Sequence, residues 1–137
     1  MGHVRTNLEL RNPRLPELQG ISVNALVDTG APMLCIPEPI AVQLQLQTNN
    51  QREITTAAGR QQLVPYVGPI EIKFENRNCF VGALVLGDEV LLGAVPMEDM
   101  DILVCPAHRK VIVNPESPDF PHALVNGHDL VGSRSNR

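Results

Sequence analysis

One carboxylate sits inside an otherwise apolar stretch of this chain. In the segment ALVDTGAPMLCIP, residues 25–37, Asp28 follows Ala25, Leu26 and Val27 and precedes Thr29 and Gly30. Asp and Gly are common turn formers, so a tight turn is the plain account of such a triplet. Surface turns, however, are seldom framed by apolar residues on both sides, here Ala25 to Val27 and Met33 to Ile36. A carboxylate delivered into apolar surroundings is desolvated and must be hydrogen-bonded, paired or functional. Asp28 is therefore the first candidate for acid–base chemistry.

The remaining reactive groups form weaker patterns. Cys35, Cys79 and Cys105 have no short metal-ligand spacing and are odd in number, which points to ordinary buried thiols of a reduced, intracellular protein. Cys35 has no His close in sequence and reads as core rather than nucleophile. Nothing near His108, His122 or His128 completes a ligand set, so no metal and no cofactor is expected. Glu98, Asp99 and Asp101 form a short acidic cluster, read as complementing the dipole at the start of a short helix.

The elements that must position Asp28 are mostly strands. Residues 3–10 alternate Val4, Thr6, Leu8 and Leu10 on one face. Residues 11–17 carry two Pro and read as a loop, and 20–28 return as a strand whose end becomes continuously apolar. Glu38-Pro39 opens a short helix within 38–47, with Ile40, Ala41 and Leu44 on one face. Residues 52–57 and 60–67 form two extended arms about Ala58-Gly59, a hairpin signal. Strands follow at 69–75, 79–87 and 109–115, with Asn76 to Asn78 as a turn. Residues 22–36 and 87–102 echo each other faintly: apolar strand, Gly, Pro, Met, Ile. Short strands with turns every 8–12 residues predict an all-β, closed barrel-like sheet with one or two short helices.

Bulk properties bound the function. The 137 residues suit one domain, and with no Trp, one Tyr and three Phe the core must be aliphatic. A formal net charge of −4 argues against a nucleic acid or an anionic membrane as main partner. Residues 1–14 contain no apolar block, so no signal peptide is expected, and no run is long enough to cross a bilayer. Met1-Gly2 with Thr6 matches the myristoylation pattern by chance. The expectation is a cytoplasmic domain over 1–116, followed by a flexible C-terminal tail over 117–137 rich in Pro, Gly, Ser and Asn.

Three features in chain order resemble the retropepsin-like (retroviral-type) aspartic proteases, in particular their single-lobed bacterial and archaeal members. These are the ALVDTGA segment, the hairpin with Gly59 at its tip, and Leu91-Leu92-Gly93-Ala94 before a short helical turn. The likeness spans roughly residues 4 to 114. It implies a closed retropepsin-like barrel with a flap hairpin over roughly 53–64, and an endopeptidase in which two carboxylates share one proton and activate a water. The chain carries Asp-Thr-Gly once, so the resemblance implies a homodimer with Asp28 facing its copy. By the same resemblance Thr29 cross-links the two loops, Gly30 admits the substrate backbone, and Ala31 stands where pepsin-like relatives carry a hydroxyl. Ala57, Ala58, Gly59 and Arg60 would close over a peptide or protein substrate, while Leu91, Leu92 and Gly93 pack beside the catalytic loop. Pro32 departs from the pattern, because retroviral relatives hold substrate there through a backbone N–H that proline lacks. The alternative is a peptide-binding or dimerisation module on the same fold with weak or no proteolysis.

Overall fold

The apolar alternation of the sequence is realised as a sheet that closes on itself. The computed structural model describes residues 3–125. Its strands are β1 (Arg5–Arg11), β2 (Ile21–Val27), β3 (Leu34–Ile36), β4 (Thr48–Thr55), β5 (Gln61–Phe74), β6 (Arg77–Val85), β7 (Leu91–Leu92), β8 (Ile102–Cys105) and β9 (Lys110–Val113), with helices α1 (Glu38–Gln43) and α2 (Ala94–Met100). Seven strands run in the order β1-β2-β7-β3-β6-β5-β4, and β1 also pairs with β5. Six of them thus form a ring, from which β4 extends as the outer arm of the flap hairpin. The short pair β8-β9 forms a separate sheet.

Inside the ring lies the aliphatic core that the composition requires. Leu8, Leu10, Ile36, Leu44, Ile70, Ile72, Leu92 and Met100 are buried, joined by Phe74. Thr6, Leu8 and Leu10 project inward from β1, while Arg5 and Glu9, one residue out of phase, do not. On α1, Ala41 and Leu44 are buried and Val42 is exposed, giving the expected face on a shorter helix. Pro37 caps this helix and Pro39 sits in its first turn, where a missing N–H costs nothing.

Three local expectations change. Residues 61–74 form one continuous strand rather than two, because a register shift between Val67 and Ile70 absorbs Gly68-Pro69. The turn after β5 is only Glu75-Asn76, with Glu75 at φ 51°. Arg77, expected in that turn, is instead the first residue of β6, opposite Phe74, and is wholly buried.

The acidic cluster is also placed differently. Glu98 and Asp99 lie toward the end of α2, and the first turn of that helix carries no acidic residue. Asp101 is the C-cap, in the left-handed region at φ 55°. Its carboxylate accepts from Ser117 Oγ at 2.5 Å, Asn114 Nδ2 at 3.0 Å and the His122 N–H at 2.9 Å. Arg77 lies 4.0 Å away and donates to the Ser117 carbonyl oxygen. These hydrogen bonds hold the Asp101 carboxyl down to about pKa 2, with the Arg77 charge a smaller contribution. Residues 114–122 are thereby tied to the end of α2. Asn76 adds a hydrogen bond to the Pro118 carbonyl at 2.9 Å. Residues 1, 2 and 126–137, including Met1-Gly2 and His128, lie outside the described residues.

Candidate active site

Asp28 follows β2 directly, and its backbone is fixed by neighbours on both sides. Val27 N–H donates to the Val4 carbonyl at 2.9 Å, and Asp28 N–H to the Leu92 carbonyl at 3.0 Å. Beyond Asp28 the chain turns sharply: Ala31 N–H bonds the Asp28 carbonyl at 3.1 Å, and Gly30 N–H bonds Asp28 Oδ1 at 3.1 Å. The side chain therefore aims its carboxylate with its own backbone, the Asx-turn device of a tight loop.

Leu91, Leu92 and Gly93 brace this loop. β7 runs parallel to β2 with Leu26 opposite Leu91 and Val27 opposite Leu92. Leu92 is fully buried. The first N–H groups of α2 then reach across, Ala94 N–H to the Ala31 carbonyl at 2.8 Å and Val95 N–H to the Pro32 carbonyl at 2.9 Å. Gly93 makes that approach possible. An added Cβ there would stand 2.4 Å from the Met33 carbonyl oxygen and 2.6 Å from that of Ala31. The two echoing segments of the sequence thus lie side by side, one carrying the carboxylate and the other supporting it.

Asp28 itself is not desolvated in the single chain. Asp28, Thr29, Gly30 and Pro32 are exposed, and Ala31 is half-buried. The sequence placed apolar residues around Asp28, but Ala25 and Val27 pack into the core and the loop beyond them stays at the surface. Within the chain, a Cβ added at Gly30 would meet only Asp28 Oδ1, at 3.3 Å.

The flap is the β4–β5 hairpin. Its end is closed by Thr56 N–H to the Arg60 carbonyl at 2.8 Å and Gly59 N–H to the Thr56 carbonyl at 2.9 Å. Gly59 has φ 84°, a conformation in which any other residue is strained. Ala57, Ala58, Gly59 and Arg60 are all exposed. Nearer its base the hairpin contacts the segment that follows the Asp28 loop. Arg52 Nη1 lies 4.0 Å from Met33 Sδ, and the Arg52 guanidinium stacks 4.1 Å from the Tyr66 ring centroid. Val64, Leu84 and Cys35 form a small buried cluster beneath, with Met33, Ile54, Tyr66 and Leu91 against it. Sequence reasoning passed over Arg52 and Tyr66. The alternation of Arg52 with Ile54 and of Val64 with Tyr66 would have placed them on one face.

Cys35 is buried, and its thiol is pushed up first by that burial and then by the Asp28 charge. A thiol so disfavoured as thiolate is core material rather than a nucleophile. The three cysteines are free. Among the described residues, no group of three or more His, Cys, Asp or Glu is arranged to hold a metal ion. Among them also, no helix is long and apolar enough to cross a membrane.

Comparison with known proteins agrees with this geometry. A family model described as "gag-polyprotein putative aspartyl protease" matches residues 16–99, a span holding Asp28, the flap and Gly93. The retroviral protease-like domain of Ddi1 from Leishmania major superposes with a TM-score of 0.53 at 11% identity, covering 82% of this chain and 90% of that one. The EIAV protease, in an inhibitor complex, gives 0.50 at 20% identity, covering 72% and 88%. A retropepsin-like aspartic protease from Rickettsia conorii gives 0.45 at 18% identity, covering 71% of each chain. No curated protein sequence matches.

Proposed function

Since this chain belongs to the gag-polyprotein aspartyl protease family and has the retropepsin fold, we propose that it is a homodimeric aspartic endopeptidase whose catalytic pair is Asp28 from each of two protomers. One observation carries the reading. A single exposed carboxylate is held rigidly at the end of β2, and the bracing segment beside it offers Gly93 rather than a second acid. Half a site, presented at the surface, is what a two-fold pairing needs. Exposed Leu103, Phe120 and Leu124 add apolar surface that a second protomer would cover.

In the paired state the two carboxylates hold one proton and one water between them. The ionised Asp28 takes a proton from the water as its oxygen attacks the scissile carbonyl carbon. The protonated Asp28 gives its proton to the carbonyl oxygen, producing a neutral tetrahedral diol. Collapse of the diol breaks the C–N bond, and a proton passes to the leaving nitrogen. No covalent enzyme intermediate forms. Thr29 would tie the two loops together through its hydroxyl, and Gly30 would let the substrate backbone approach. Ala57, Ala58, Gly59 and Arg60 would close over an extended peptide that bonds as an added strand. With three free thiols, the reducing cytoplasm is the compartment that suits this chain.

Pro32 favours the second reading, a peptide-binding or dimerisation module with little hydrolysis. It is exposed, donates no N–H, and its carbonyl is already taken by Val95 N–H. Cleavage of a peptide library by wild type and by Asp28→Asn separates the two. The protease reading expects products from wild type and none from the variant, with both equally folded. Products that persist with Asp28→Asn would remove Asp28 from the mechanism.

A further inference from the structure

The inward face of the flap carries a cation, Arg52, with no anionic partner among the described residues. Pairing of β4 with β5 sets Arg52 opposite Val64 and Ile54 opposite Gln62. Strand alternation therefore puts Arg52, Ile54, Val64 and Tyr66 on one face and Glu53 on the other. That face is turned toward the catalytic loop, because Val64 is buried against Cys35 and Leu84. Arg52 is held there by its stacking on Tyr66 and its contact with Met33. Tyr66 is held in turn, since its ring lies over Gly82, where an added Cβ would stand 2.2 Å from the ring carbon Cζ. Ion pairs among the described residues join Arg5 to Glu89, Arg11 to Glu9 and Arg77 to Asp101, and none engages Arg52.

Beside this cation is an apolar pocket of about 320 Å³ lined by Met33, Leu34, Tyr66, Phe80, Val81 and Val95, among others. Phe80 and Val95 are 59% and 52% exposed, so two large apolar side chains lie open side by side on the wall of one pocket. An oriented guanidinium next to an uncovered apolar wall fits a ligand that is both anionic and apolar. Both features begin at Met33, on the segment that leaves the catalytic loop.

Resting on the endopeptidase reading above, we propose that Arg52 selects substrate. The cleft takes extended peptides that place an Asp or Glu side chain on the Arg52 guanidinium, at one fixed distance from the scissile bond, with an apolar side chain seated against Phe80 and Val95. Arg52 acts on the substrate and not on the reacting atoms. Its contribution falls in which peptides are cut.

The test profiles a randomised peptide library by mass spectrometry with wild type, Arg52→Glu and Glu53→Lys. In parallel, the same library is selected for binding to Asp28→Asn with and without Arg52→Glu. Wild type is expected to favour Asp or Glu at one position by about tenfold in kcat/KM over Ala, the scale of one charge-assisted hydrogen bond. Arg52→Glu should invert that preference toward Lys and Arg, while Glu53→Lys, on the outer face, should leave it in place. An acidic preference that is absent, or that Arg52→Glu does not move, overturns the assignment. Should wild type cut nothing while Asp28→Asn still retains acidic peptides through Arg52, recognition stands and the endopeptidase reading falls. A library neither cut nor retained overturns both.

Discussion

A methyl group on Gly93 would stand 2.4 Å from the Met33 carbonyl oxygen, whereas one on Gly30 would meet only Asp28 Oδ1, at 3.3 Å. The first clash is with backbone that cannot rotate away, and the second is with the end of a side chain. Gly93→Ala should therefore lower stability by about 1–3 kcal/mol, the usual cost of overpacking, read from the midpoint of urea unfolding. Gly30→Ala should change stability by less than about 1 kcal/mol by the same measurement. On the proposed mechanism it should still cut kcat/KM, because the substrate backbone must pass where the new methyl stands. The residue scale was partly legible in the sequence. Asp28-Thr29-Gly30 stood out through its apolar flanks, and Leu91-Leu92-Gly93 through its spacing from them. The exposure of Asp28 was not legible, since it depends on which way the end of β2 faces in the closed ring. Arg52 and Tyr66 escaped notice because neither residue type is diagnostic. Only the pairing of β4 with β5 brings them together.

At the scale of elements, α2 links the Asp28 loop to the segment 114–122. Its first N–H groups hold Ala31 and Pro32, and its C-cap, Asp101, holds Ser117, Asn114 and His122. The Asp101 carboxyl is lowered from 3.8 to about 2. A lowered carboxylate contributes stability that is complete above its unfolded value and lost as pH falls through its folded one. The segment 114–122 should therefore loosen as pH falls from about 4 to about 2. Amide exchange of His122 N–H would follow this directly. Asp101→Asn should remove that acid-dependent step and lower stability at neutral pH, because buried Arg77 then loses its counter-charge. Unchanged exchange at His122 across that range would contradict the account. The strands were legible in the sequence because alternation of apolar residues reports directly on a sheet with one buried face. Gly68-Pro69 obscured the continuity of β5, which the register shift there restores. The buried Arg77 ran against its residue type and could not be read locally, as its partner is a helix cap 24 residues on.

For the whole molecule, the proposed function makes catalysis a property of two chains, because each supplies a single exposed Asp28. The protein should sediment as a dimer at micromolar concentration when active, and a monomer that hydrolyses peptides would remove the basis for the mechanism. Mixed dimers test the central claim more directly. Wild type and Asp28→Asn are combined in varying proportion at fixed total protein, their subunits allowed to exchange, and peptide cleavage is measured. A pair that needs Asp28 from both protomers leaves only wild-type homodimers active. The predicted rate therefore falls as the square of the wild-type fraction. A rate that falls in simple proportion to that fraction would show that one Asp28 suffices, and would contradict the shared catalytic pair.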